Sequence, residues 1–140
     1  MREPNPAWGS LAGALPWLLV ASLVAVQCSE PRLRYDYFVV KVDSIAAPDS
    51  EPLSDSLSVR LFGTIGRNGA YSLDRIDATR NESGLDMTVW GKFDRQAGEV
   101  TGNFTRLDER YVTYPATRGM FRIRVHQPDG STMPDSVRVF

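Results

Sequence analysis

One cysteine, one histidine and almost no net charge set the first limits on this chain. A single Cys excludes an internal disulfide framework and a cysteine-rich zinc site, and a single His excludes a multi-histidine metal centre. Sixteen basic against 17 acidic side chains leave a formal charge of -1, so no global field recruits nucleic acid. There is no glycine-rich phosphate loop; the glycines fall at turns and at strand positions. What is present is ordinary for a folded domain. With 42% hydrophobic and 10% aromatic residues in 140, the chain has too much apolar material for a disordered tail and enough length for one domain plus a targeting segment.

Charge is missing altogether between Glu3 and Glu30, and Leu11 to Val26 is mostly Leu, Val and Ala behind a short head carrying Arg2. That layout is a secretory signal, somewhat short for a spanning helix and interrupted by Pro16. Cys28 stands directly after the apolar core, followed by Ser29 and Glu30. This placement resembles a bacterial lipoprotein signal, in which the cysteine becomes the lipidated first residue of the mature chain. Ala25 and Gln27 stand where that pattern has Leu and a small residue. Ordinary secretory cleavage and an uncleaved anchor are the other readings. The lipoprotein resemblance implies a membrane partner through an N-terminal lipid anchor at Cys28. Ser29 implies release to the outer membrane, where Asp would imply retention. The expected organisation is a signal over 1–28, a linker over 29–35 and a domain over 36–140.

Beyond Cys28 the apolar residues recur with period two, the mark of half-buried strands. Phe38, Val40 and Val42 form one such set; Val59, Leu61, Gly63 and Ile65 form another. Leu85, Met87, Val89, Gly91 and Phe93 follow, then Phe121, Ile123 and Val125, with Val137 and Val139 flanking Arg138. Asn68-Gly69 predicts a tight hairpin turn with positive φ angles, and Asn81–Gly84 and Gln127–Ser131 predict two more turns. The slipped spacing of Tyr71, Leu73 and Ile76 predicts a bulge at Asp74 and Arg75. Ala46 to Asp55 reads as a polar loop, while Val100–Phe104 and Tyr111–Tyr114 read as short strands. The pattern predicts an all-β, antiparallel β-sandwich of about seven or eight strands with almost no helix. Its core is expected to include Val40, Leu61, Ile65, Leu73, Met87, Val89, Phe121, Ile123, Val125 and Val139.

From Leu57 to Phe140, the order of LSVRLFGTIGRNGAYSLDRI, LDMTVWGKF and GMFRIRVHQPDGSTMPDSVRVF resembles an immunoglobulin-like or fibronectin-like domain of bacterial surface lipoproteins. The Cys, Trp, Cys set of antibody-type domains is absent, and Trp90 is the residue available to fill such a core. Domains of this architecture imply binding, adhesion or scaffolding, and an envelope protein or glycan as partner.

Chemistry-bearing residues are sparse. His126 falls on the polar parity of its strand, with Ser131 the nearest nucleophile across a turn and no strained elbow around it. Asp49, Glu51 and Asp55 lack the alternate spacing of a calcium loop. Asp74, Asp77, Asp86 and Glu99 are the carboxylates for a hydrolase alternative, with the loops around 94–109 the place for such a pair. Asn81 and Asn103 head glycosylation sequons, which matter only in a eukaryotic secretory route. Arg60, Arg122, Arg124 and Arg138 share the polar parity of their strands and are the candidate ligand-binding set, a positive stripe for anionic headgroups or acidic glycans. Trp90, Tyr111 and Tyr114 are candidate stacking surfaces. No catalytic set, metal ligand set or cofactor is assigned. The expectation is a non-enzymatic binding or structural module of the cell envelope, on the outer membrane or otherwise periplasmic or secreted.

The signal has a direct test. Metabolic labelling with a radioactive fatty acid should mark the wild-type chain and not Cys28→Ala; equal labelling of both would remove the lipid anchor.

Overall fold

The computed structural model describes residues 34–98, 100 and 102–140. The signal and Cys28 lie outside the described residues, as does Glu99. Among the described residues nine strands follow one another: β1 (Tyr35–Val39), β2 (Val42–Ala46), β3 (Ser50–Glu51), β4 (Leu57–Gly66), β5 (Tyr71–Asn81), β6 (Gly84–Asp94), β7 (Thr105–Thr113), β8 (Gly119–His126) and β9 (Thr132–Val139). No helix occurs among the described residues. The all-β expectation therefore holds, in two sheets whose arrangement is consistent with a β-sandwich.

The larger sheet is built on β6. Along one edge β6 pairs with the whole of β5. Along the other it pairs first with β8, from Gly84 to Thr88, and then with β1, from Trp90 to Asp94. β9 lies beyond β8, and β3 joins β9 over two residues. The smaller sheet is β2-β4-β7. Alternation decides which side chains face inward. In β8 every second residue, Phe121, Ile123 and Val125, is buried, while Arg122 and Arg124 between them are exposed. Val59 and Leu61 from the smaller sheet join Met87, Val89 and Phe121 from the larger in one core. Burying each of these stabilises by roughly 1.5–3 kcal/mol.

Several expectations need correction. The larger sheet is mixed, not antiparallel: β6 and β8 run parallel, as do β3 and β9. Between β6 and β8 the chain crosses to the smaller sheet as β7 and returns, and such a crossover delivers a parallel neighbour. For the same reason β4 and β5 are not a hairpin; they belong to different sheets. The Asn68-Gly69 turn is a corner, with Asn68 Oδ1 accepting the Ala70 N–H at 3.0 Å. Positive φ is found at Gly98, Gly119 and Gly130 instead. Val100 and Gly102–Phe104 are not strand, and Tyr111 lies within a nine-residue β7 that runs from Thr105 to Thr113 and leaves Tyr114 outside. The loop after Ala46 contains β3, and Leu73 is only half-buried because β5 is an edge strand. The bulge falls where the slipped spacing puts it, between Leu73 and Arg75.

Phe38, Val40 and Val42 do not form one strand. β1 leaves the larger sheet after Val39, and the chain enters the smaller one at Val42. Val40 N–H still donates to the Val89 carbonyl at 2.8 Å, and Val42 N–H donates to Gln127 Oε1 at 3.1 Å. Two glycines on inward positions make room for this crossing. A Cβ on Gly63 would lie 2.6 Å from the Lys41 carbonyl oxygen, and one on Gly91 would lie 2.6 Å from the Phe38 ring.

The strand edges that lack a neighbour carry interruptions of a kind that blocks strand addition. β5 has its bulge. β9 has Pro134 and, on an inward position opposite Ile123, Asp135. β7 has Glu109 on the inward position opposite Leu61, yet exposed.

The crossing yields the stability test. Gly63→Ala should cost about 1–3 kcal/mol, because a backbone oxygen must give way, and Phe121→Ala about 3–5 kcal/mol. Urea unfolding measures both; a Gly63→Ala midpoint equal to wild type would show that the crossing is loosely held.

Candidate functional site

Where β1 turns away from β6, the tip of the β8–β9 hairpin closes over the gap. The two segments bound a cleft of about 570 Å³, lined by Lys41, Val42, Gln127, Pro128, Asp129, Ser131, Thr132, Met133 and Pro134. Val42, Met133 and the two prolines make apolar walls; Lys41 and Asp129 bring opposite charges. A concave, mostly apolar site with a few polar groups is the usual form of a ligand pocket.

The tip is internally fixed. Gln127 N–H donates to the Ser131 carbonyl at 2.9 Å, and Gly130 takes φ 82° to close the turn. The Ser131 hydroxyl and N–H both donate to Asp129 Oδ1, at 2.6 and 2.9 Å. These bonds, the hydroxyl first, hold the Asp129 carboxyl below its ordinary value, and the Lys41 ammonium adds to them. Gln127 joins the tip to the crossing through its Oε1, while its Nε2 is buried without a hydrogen-bond partner among the described residues. Leaving such a donor unpaired is costly, so the cleft wall holds a group that gains from an acceptor.

The residues picked from sequence are dispersed. Arg122, Arg124 and Arg138 share the outer face of the larger sheet, whereas Arg60 faces outward from the smaller one, so the four do not form one stripe. Arg124 donates to Asp86 at 2.8 Å, and His126 Nε2 lies 3.7 Å from the same carboxylate. His126 and Ser131 make no nucleophile–base pair, since the Ser131 hydroxyl is committed to Asp129. Asp74 contacts Arg75 at 2.8 Å and Lys92 at 3.6 Å, and Asp77 contacts Arg75 at 3.1 Å. These carboxylates thus sit in surface ion pairs. Among the described residues no group of three or more His, Cys, Asp or Glu is placed to hold a metal ion. Trp90 is not a core residue; it faces outward beneath Arg75, whose guanidinium carbon lies 5.0 Å from the ring centroid. Tyr111 turns inward toward the core and Tyr114 is exposed in the following loop, so the three aromatics share no surface.

The cleft residues gave one signal in the sequence, the Gln127–Ser131 turn. Lys41 and Val42 gave none, because their place depends on a strand leaving one sheet for the other. Comparison with protein-family models, curated proteins and solved structures gives no match.

Surface charges set the acid sensitivity. Arg95 holds the Asp36 carboxyl low through its hydrogen bond, Arg34 does the same for Asp94, and Ser131 for Asp129. A carboxyl lowered by folding stabilises above its unfolded value, near 3.8, and that contribution is lost as pH falls through the lower folded value. These three groups therefore add no slope above about pH 5 and weaken the fold below about pH 4. Asp94→Asn should lower the urea midpoint at neutral pH and converge with wild type in acid. A constant gap at every pH would refute the assignment.

Proposed function

We propose that the chain is a cell-envelope lipoprotein, held on the outer membrane through Cys28, whose immunoglobulin-like β-sandwich is a non-enzymatic binding module. The observation that carries this reading is the cleft at the β8–β9 tip, which offers apolar walls and opposed charges for a short segment of an envelope protein or for a glycan. The described carboxylates considered for hydrolysis support the same choice, because Asp74, Asp77 and Asp86 lie in ion pairs on the sheet surface. A hydrolase alternative would place its acids in the loops around 94–109.

A photo-activatable cross-linker tests the site. Placed at Thr132 in the full-length chain, it should capture a discrete envelope component, and placed at Thr79 on β5 it should not. Met133→Lys should suppress the capture. Equal capture from both positions would remove the cleft, and turnover of a substrate lost on one carboxylate-to-amide change would establish the hydrolase.

A further inference from the structure

The outer face of the smaller sheet carries an arrangement of charge that the cleft does not explain. Register places Arg60 of β4 directly opposite Arg110 of β7, with Arg106 further along the same face opposite Thr64. All three arginines are exposed. Like charges directly opposite one another on a sheet destabilise it, and compensation here is thin. Asp108, opposite Phe62, is the acid that β7 places on this face, and it accepts a hydrogen bond from Arg60 Nη2 at 2.7 Å. Arg110 turns the other way, its Nε donating to Ser58 Oγ at 2.6 Å. Among the described residues no ion pair reaches Arg106 or Arg110.

Between them lies an open recess of about 490 Å³ lined by Ser58, Arg60, Asp108 and Arg110. The Arg60 guanidinium carbon also sits 5.0 Å from the centroid of the Phe62 ring, which holds it against the sheet. Each guanidinium has five N–H donors in a planar fork suited to phosphate oxygens. Among the described residues, one donor of Arg60 and one of Arg110 are engaged by other side chains. Because Ser58 Oγ accepts from Arg110, its own proton is available to a further acceptor.

We infer that this recess binds a phosphate group, held between Arg60 and Arg110 with the Ser58 hydroxyl as a third donor. A bound dianion converts the repulsion across the two strands into attraction from both sides. Asp108 orients Arg60 and opposes the incoming charge, which keeps the affinity modest. The site goes beyond the cleft reading and shares no residue with it, so either can fail alone.

The test is thermal unfolding of the full-length chain in non-ionic detergent, with inorganic phosphate titrated against chloride at constant ionic strength. Phosphate should raise the wild-type midpoint through preferential binding to the folded state. Arg110→Gln should weaken the apparent affinity at least about tenfold and, without phosphate, melt no lower than wild type because the opposed charge is gone. Asp108→Asn should tighten binding. Arg60→Gln serves if Arg110→Gln does not fold. Arg122→Gln, on the other sheet, should respond like wild type. Vesicles of phosphatidylcholine with and without phosphatidylglycerol separate the sources. Capture by the anionic vesicles that Arg110→Gln abolishes assigns a lipid headgroup; no capture, with the phosphate response intact, assigns a soluble phosphate. No midpoint shift in the wild type, or an equal shift in Arg110→Gln, overturns the inference.

Discussion

Everything in this domain depends on the short step from Val39 to Val42. β1 and β8 occupy successive halves of the same edge of β6, so one must end where the other begins. The chain meets that constraint by leaving the larger sheet and joining the smaller. It stays hydrogen-bonded on the way, through the Val89 carbonyl and the Gln127 side chain. Without those two acceptors, buried N–H groups would be left unpaired at a cost of about 1–3 kcal/mol each. Gly63 and Gly91 supply the space, and the cleft is the gap the step leaves behind.

Much of the fold was legible because period-two alternation reports burial directly. Phe121, Ile123 and Val125 alternate with arginine and are buried; Val59, Leu61 and Ile65 behave likewise. The bulge at Asp74 was visible as a slip in spacing. Pairing was not visible. Alternation says which way a side chain faces relative to its own strand, not which sheet the strand joins, so β4 and β5 read as a hairpin although they belong to different layers. The same blindness affected the arginines. Parity placed Arg60 outward correctly, yet outward from opposite sheets means opposite surfaces. Trp90 shows a separate limit: a large aromatic attracts a core assignment, while its even position in β6 put it outside with Asp86 and Thr88.

The outer faces differ in how they handle charge. On the larger sheet, Arg75, Lys92 and Arg124 each have an acid at hand, and Asp86 also lies near His126. Exposed pairs of this kind contribute little stability, commonly under about 1 kcal/mol, and on the same face Arg122 and Arg138 have no ion pair among the described residues. β4 and β7 together place three arginines and one aspartate outward, with two of those arginines opposite each other in register.

The position of β1 also bears on the order in which the molecule assembles. It is the first strand among the described residues, yet its partners are Trp90 to Asp94, with Arg34 and Asp94 separated by 60 positions. Closing so long a loop carries an entropy cost before any contact is gained, and topologies rich in such contacts fold slowly. The amino-terminal strand therefore has no native edge to join until β6 has emerged. Nor does β8, the parallel neighbour that completes that edge, exist until most of the chain is made. A protein wired in this way gains the native pairing of its leading described strand only late in synthesis.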